Sequence, residues 1–293
     1  MRPILVSAVI YDPKVSVIWD IIREFFEDQR CPIDVVFYTN YERMVDGLLG
    51  GHIHIAWNSP LAWIDAQRRS GGTCRALAMR DTDCDRVSHL VVRRSGPVEK
   101  IEDLRGKTVA FGAKDSPQAH LIPVEHLARA GLAAGADYQV RRFDVKVGLH
   151  GDHVGGELDA FHCLARGEAA ASALVDLNWD RWTKDGTINA HEYAVLASTG
   201  PFDHCNFTAR GDFPAGEERR FGEALFRMSY DDPKHREMMD MEGLQRWEPG
   251  RTSGYALLAS AVERTRFFDD GGSAGSADSA GSAPKPPADE AAR

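Results

Sequence analysis

Up to about residue 200 the chain alternates between two kinds of hydrophobic pattern. Unbroken apolar runs rich in β-branched residues read as buried strands: ILVSAVI, IDVVFYT, IHIAW, SHLVVRR, TVAFGA, AAASALV and EYAVLAS. Between them the apolar positions recur at helical spacing. VSVIWDIIREFFEDQ places Val17, Ile21 and Phe25, with Ile18 and Ile22, on one face. YERMVDGLLGG, PLAWIDAQRRSG and ELDAFHCLARG are shorter helices that stop at Gly or Ser, where a helix C-cap belongs. Strand–helix alternation of this kind predicts an α/β protein of βαβ units, with mostly parallel sheets and helices on both faces.

The pattern pauses at SGPVEKIEDLRGKT, residues 95 to 108, which reads as the passage from one lobe to another. After Gly200 helical patterns take over, in GEERRFGEALFRMS, HREMMDMEGLQRW and SGYALLASAVERT. The expected division is therefore a first lobe over 1–94, a second over 95–199 and a helical return to the first over 200–268. Residues 269–293 hold almost no large apolar side chain and are expected to be a disordered tail, because they bury too little to offset their ordering entropy.

Composition narrows the function without naming it. The net charge of −9 argues against a general nucleic-acid binder, which needs a basic face for phosphates. No stretch reaches the roughly 20 apolar residues of a membrane span. The N-terminal apolar run is broken by Asp12, Pro13 and Lys14 before any small-x-small cleavage site. A cytoplasmic location is the expectation, or a periplasmic one if a leader has been removed. The five cysteines form no CxxC pair and are expected to be reduced.

Four segments offer chemistry. In GAKDSPQAHLIP, Ser116 is a favoured N-cap and Pro117 suits the first helical position. Gln118, Ala119 and His120 then expose backbone N–H groups at the positive end of a helix, either as an anion site or satisfied by Ser116 itself. In GGHIHIAWNSPLAWI, Asn58 and Ser59 stand at the carboxyl end of a strand, where open α/β sheets bind ligands; Ser59 is equally a helix cap. His52 and His54 alternate with isoleucines and point to one face of the sheet, a pair more often structural than metal-binding. The glycine-rich KVGLHGDHVGGELDAFHC carries His150, Asp152, His153, His162 and Cys163 in no standard zinc spacing; a loop closing over a ligand, with His153 as donor, fits it better. Asp176 ends another apolar run and serves as either a ligand acceptor or a helix cap. No cofactor and no metal is expected.

FYTNYERMVDGLLGGHIHIAWNSPLAW followed by IEDLRGKTVAFGAKDSPQAHLIPVEHL resembles the phosphate/phosphite/phosphonate-binding proteins of ABC importers, over about residues 3 to 265. That resemblance implies a type 2 periplasmic-binding fold, whose two lobes enclose a ligand cleft and which serves an ABC permease. It implies oxyanion contacts at Ser116, Gln118 and Ala119, first-lobe contacts at Tyr11, Tyr41, Asn58 and Ser59, and a polar contact at Asp176. The sequence departs from the family's hydroxyl-rich turn: Pro117 and Gln118 replace hydroxyls, Pro removes a backbone donor, and Asp115 adds a carboxylate.

Two functions follow. The first is a binding protein that closes on a small anionic or zwitterionic molecule, a phosphonate-like oxyanion or a carboxylate. The alternative is a cytoplasmic lyase, dehydratase or biosynthetic enzyme on the same fold, with His120 or His153 as acid/base.

Overall fold

The structure, a computed structural model, describes residues 2–151 and 156–269. In chain order the first strands are β1 (Ile4–Val9), β2 (Ile33–Tyr38), β3 (Ile55–Asn58), β4 (Arg75–Arg80), β5 (Ser88–Arg93) and β6 (Thr108–Phe111). They are followed by β7 (Gln139–Arg142), β8 (Ala171–Val175), β9 (Tyr193–Ser198), β10 (Asn206–Ala209) and β11 (Trp247–Pro249). The helices are α1 (Lys14–Asp28), α2 (Tyr41–Leu49), α3 (Pro60–Ser70), α4 (Ile122–Arg129) and α5 (Glu157–Ala165). α6 (Asp176–Lys184), α7 (Ala215–Leu225), α8 (Pro233–Glu242) and α9 (Ala256–Thr265) complete the set.

Two sheets result, in the orders β11-β4-β10-β3-β1-β2 and β7-β6-β8-β5-β9, each the centre of one lobe. β5 belongs to the second sheet, so the chain changes lobes within residues 81–87 and not at 95–108, which connect β5 to β6 inside lobe 2. The return crossing follows β9. There the two crossing segments pair with each other: Arg86 N–H donates to Phe202 O at 2.7 Å and Phe202 N–H to Arg86 O at 2.8 Å.

The expectation of mostly parallel sheets needs the same correction. Pairs joined through crossover helices are parallel, as β1 with β2 and β3, and β6 with β7 and β8. β5 and β10 enter their sheets from the other lobe and run away from the cleft, so they pair antiparallel with β8 and β9, and with β3 and β4. The sheets are mixed because the chain visits lobe 1 twice.

Packing follows the hydrophobic pattern with one rotation. In α1 the buried face is Val15, Ile18, Trp19, Ile22, Phe25 and Phe26, while Val17 is exposed. The segment after Gly200 is not purely helical, since it also supplies β10 and β11 to the first sheet. α7 and α8 bury Phe221, Leu225, Met238 and Met239 in one cluster with Phe25 and Phe26. α9 touches both lobes: Leu258, Ala261 and Val262 share a cluster with Leu61 of α3, Leu121 just before α4, Ile122 of α4, and the hinge residue Phe202. Buried Glu125 of α4 reinforces that contact by accepting from Ser260 at 2.8 Å and pairing with Arg264 and Arg129. No helix among the described residues is long and apolar enough to cross a membrane.

Candidate functional site

Two Ser-Pro turns open the helices that meet at the cleft. Ser59 follows β3 and its Oγ accepts from Ala62 N–H at 3.1 Å; Ser116 lies beyond β6 and accepts from Ala119 N–H at the same 3.1 Å. Each serine is thus an N-cap in extended conformation with Pro at the next position. The cap on Ser116 therefore consumes the Ala119 N–H, one of the donors considered for an anion.

Beyond the cap the two turns diverge. At α3 the ladder is regular, Trp63 N–H donating to Ser59 O at 2.9 Å. At Pro117–Leu121 it widens into a π turn, with both His120 N–H (3.1 Å) and Leu121 N–H (3.0 Å) on Ser116 O. Pro123 supplies the reason, because it has no N–H to return to Ala119 O. That carbonyl instead accepts from Gly112 N–H at 3.1 Å, and Gln118 O accepts from Ser88 Oγ at 2.6 Å. Gly112 is needed for this approach: a Cβ there would stand 2.7 Å from the Ala119 Cβ. Single π turns inside α-helices recur at functional sites.

One lobe-2 loop, residues 144–151 after β7, covers both serines. The His150 Nδ1 lies 2.6 Å from Ser59 Oγ, and its ring stacks on Tyr41 with centroids 4.8 Å apart. Gly148 O accepts from Tyr41 N–H at 3.1 Å, which ties the loop to lobe 1. Asp115 ties it to lobe 2, its Oδ2 accepting from Gly148 N–H at 2.6 Å and from His150 N–H at 3.3 Å. Gly148 and Gly151 have φ of 95° and 70°, and a Cβ on Gly151 would overlap Ser116 Oγ. Burial pushes the Glu42 carboxyl up, but the hydrogen bond and charge of His150, with Lys114, outweigh it and hold the group below its ordinary value.

Deeper in the cleft lies a cavity of about 100 Å3 between the lobes. Lobe 1 lines it with Arg80, Asp83 and His204; lobe 2 contributes Gln118, Glu157 and Asn178; Arg86 enters from the hinge. Arg80 and Asp83 neutralise each other through Nε–Oδ2 and Nη2–Oδ1 contacts of 2.7 and 2.8 Å. Burial alone would raise the Asp83 carboxyl, yet Arg80 and His204 hold it well below the carboxylate range. Glu157 behaves oppositely: burial raises it, and hydrogen bonds from Asn178 Nδ2 and Val175 N–H, both 2.9 Å, offset that only in part. Arg86 has a looser counter-ion, Asp176 Oδ2 at 3.6 Å. Gln118 reaches across with Nε2 on Gly151 O at 3.1 Å, while its buried Oε1 has no partner among the described residues.

The structure distributes the expected residues unevenly. Gln118 lines the cavity, and Asp176 adjoins it through Arg86. Tyr41, Ser59 and Ser116 lie under the loop, Ala119 is buried, and Asn58 is buried with Nδ2 on Thr208 Oγ1 at 2.9 Å. Tyr11 packs partly buried on the apolar clusters of lobe 1. His120 does not line the cavity; its Nδ1 meets Lys114 O at 2.8 Å and burial lowers its imidazole pKa. His153 lies outside the described residues, as does the tail from 270. His54 is structural, its Nδ1 accepting from Leu5 N–H at 2.9 Å and its ring stacked on Phe213. No disulfide forms among the described residues.

Sequence reading missed Arg80, Asp83, Arg86, Glu157, Asn178 and His204. A signal existed for one pair: Arg80 closes the short run RALAMR, which is β4, and Asp83 stands three residues on. The others meet only through the two crossings.

The sequence profile described as "ABC transporter, phosphonate, periplasmic substrate-binding protein" matches residues 14–255. Among curated proteins, an uncharacterized protein of Haemophilus influenzae is 50% identical over 46 residues, 15% of this chain. The match spans 65% of that relative's length. Among solved structures, PhnD1 of Prochlorococcus marinus in complex with methylphosphonate superposes with a TM-score of 0.65 at 16% identity, covering 90% of this chain and 98% of its own. A Xanthomonas citri protein bound to chloride ion gives 0.71 at 17% identity, with 90% and 99% covered. The periplasmic aliphatic sulphonate binding protein SsuA of Escherichia coli gives 0.56 at 18% identity, with 92% and 88% covered. Likeness at these identities carries the fold.

Proposed function

From the premise that this chain belongs to the periplasmic substrate-binding proteins of phosphonate ABC transporters, we propose that its lobes close on a small phosphonate-like oxyanion in the cavity beside the hinge. On this reading the protein is a periplasmic binding component that delivers its ligand to an ABC permease.

The observation that carries the ligand class is Arg86. Its guanidinium faces the cavity with its counter-ion 3.6 Å away, next to the amide side chains of Gln118 and Asn178. A tetrahedral oxyanion takes hydrogen bonds from such a set, and charge-assisted bonds to guanidinium are the strong ones. Arg80 is a poorer partner because Asp83 already holds it bidentately. Glu157, on the same wall, favours a ligand whose other end donates, such as an amine or a hydroxyl. Ser59, Ser116 and Tyr41 contribute by seating the loop that closes the outer cleft, and Asp176 by orienting Arg86.

Thermal unfolding with methylphosphonate, inorganic phosphate, methanesulfonate and acetate tests this. A bound ligand stabilises by mass action, about 2.7 kcal/mol at a hundred times its dissociation constant. Stabilisation by a phosphonate that disappears in Arg86→Gln supports the reading. A panel with no stabilising oxyanion, or one whose effect survives Arg86→Gln, overturns it.

A further inference from the structure

Glu42, Asp115 and His150 bring two carboxylates and an imidazole together where the lobes meet, and their donor atoms lie within 4.8 Å of one another. Glu42 opens α2 in lobe 1, whereas Asp115 and His150 come from the two lobe-2 loops after β6 and β7. His150 Nε2 is 3.5 Å from Glu42 Oε1. Asp115 is fully buried, at 0% exposure. Its Oδ1, like Glu42 Oε2, is inaccessible and has no hydrogen-bond partner among the described residues. A buried carboxylate oxygen without a donor is costly. Two in one cluster leave acceptors for a cation between them, beyond the charges of His150 and Lys114 that already act on Glu42.

We propose that Glu42, Asp115 and His150 bind a divalent transition-metal cation such as zinc across the lobe interface. The donor set is right for it, since imidazole nitrogen and carboxylate oxygen are both ordinary zinc ligands. Ligands about 2.1 Å from a tetrahedral ion stand roughly 3.4 Å apart, which His150 Nε2 and Glu42 Oε1 already match at 3.5 Å. The geometry also allows the tautomer a metal needs: with a proton on Nδ1 donated to Ser59 Oγ 2.6 Å away, Nε2 would offer the cation its lone pair in place of the proton with which it otherwise hydrogen-bonds Glu42. Metal-bound histidines are oriented through the other ring nitrogen in this way.

A second cluster, Asp83, His204 and Cys205, has similar spacing but a different charge balance. Both oxygens of Asp83 are held by the Arg80 guanidinium, so a cation there would face a cation. At Glu42, Asp115 and His150 no guanidinium intervenes among the described contacts. Because one ligand belongs to lobe 1 and two to lobe 2, the cation adds a bond across the closed cleft. The site is independent of the oxyanion cavity and would stand if that assignment failed.

The full chain, stripped with EDTA and returned to chelator-free buffer, is titrated calorimetrically with zinc chloride alone, followed by thermal unfolding with and without zinc. One equivalent should bind and raise the melting temperature. Glu42→Gln and His150→Gln should each weaken binding at least tenfold, while His162→Gln, on an exposed histidine, should not. Glu42→Gln preserves shape at a half-buried position and so decides the matter even if His150→Gln misfolds. No zinc binding at millimolar concentration, or one-equivalent binding unchanged in Glu42→Gln, overturns the proposal.

Discussion

The two Ser-Pro turns share a motif, a cap and a place at the carboxyl end of a parallel strand, yet they do different work. At Ser59 the hydroxyl serves two partners, the helix at Ala62 and the imidazole of His150 from the other lobe. At Ser116 it serves its own helix, and what lies against it is the bare backbone of Gly151. One turn latches the lobes by a side chain; the other admits the same loop by leaving room for it. The difference teaches that a cap motif fixes local geometry but leaves its second partner to tertiary structure.

Four substitutions test that contrast. The largest effect is expected at Gly151→Val, which adds steric overlap with Ser116 to strain at a φ of 70°. A loss of about 3 kcal/mol in unfolding free energy is expected, and a loss below a few tenths would mean that the loop does not rest on Ser116. Ser59→Ala removes both the cap and the His150 partner and should cost about 2 kcal/mol. Ser116→Ala removes only the cap and should cost about 1 kcal/mol by the same denaturant measurement. Equal costs at the two serines would break the contrast. The smallest effect is a pH dependence in the cavity. Because burial raises the Glu157 carboxyl, the folded state holds its proton longer than the unfolded chain, and stability falls as pH rises above the unfolded value of about 4.3. Glu157→Gln should flatten that decline in melting temperature; parallel profiles for the two proteins would show that Glu157 does not cause it.

The legible part of the molecule was what neighbouring residues decide. Each of the seven apolar runs corresponds to a strand, because a run such as AAASALV has no alternative to burial on both faces. Both serine caps follow from the Ser-Pro dipeptides. β7, QVRR, and β11, WEP, were not legible because they are short polar edge strands that form only against β6 and β4. The lobe boundary was misplaced because glycine and proline at 96–97 are louder than the paired Arg86 and Phe202 of the hinge, residues with no intrinsic turn signature. For the same reason the cavity residues stayed hidden. Arg80 ends β4, while Arg86 and His204 lie on two crossings more than a hundred residues apart, and only the pairing of those crossings brings the three to one cavity.

The position of α9 has a mechanical consequence. Phe202 is at once half of the bridge that pairs the two crossings and a member of the apolar cluster that α9 forms with Leu61 and Ile122, so the helix is mounted where the chain passes between the lobes. Rotation displaces an atom in proportion to its distance from the axis, and contacts at the axle are carried through a swing with little movement. The stack of His150 on Tyr41 joins residues of different lobes, so any swing that separated the lobes would have to break it. In such a swing α9 would act as a bearing and the 144–151 loop as a catch, in separate parts of the chain.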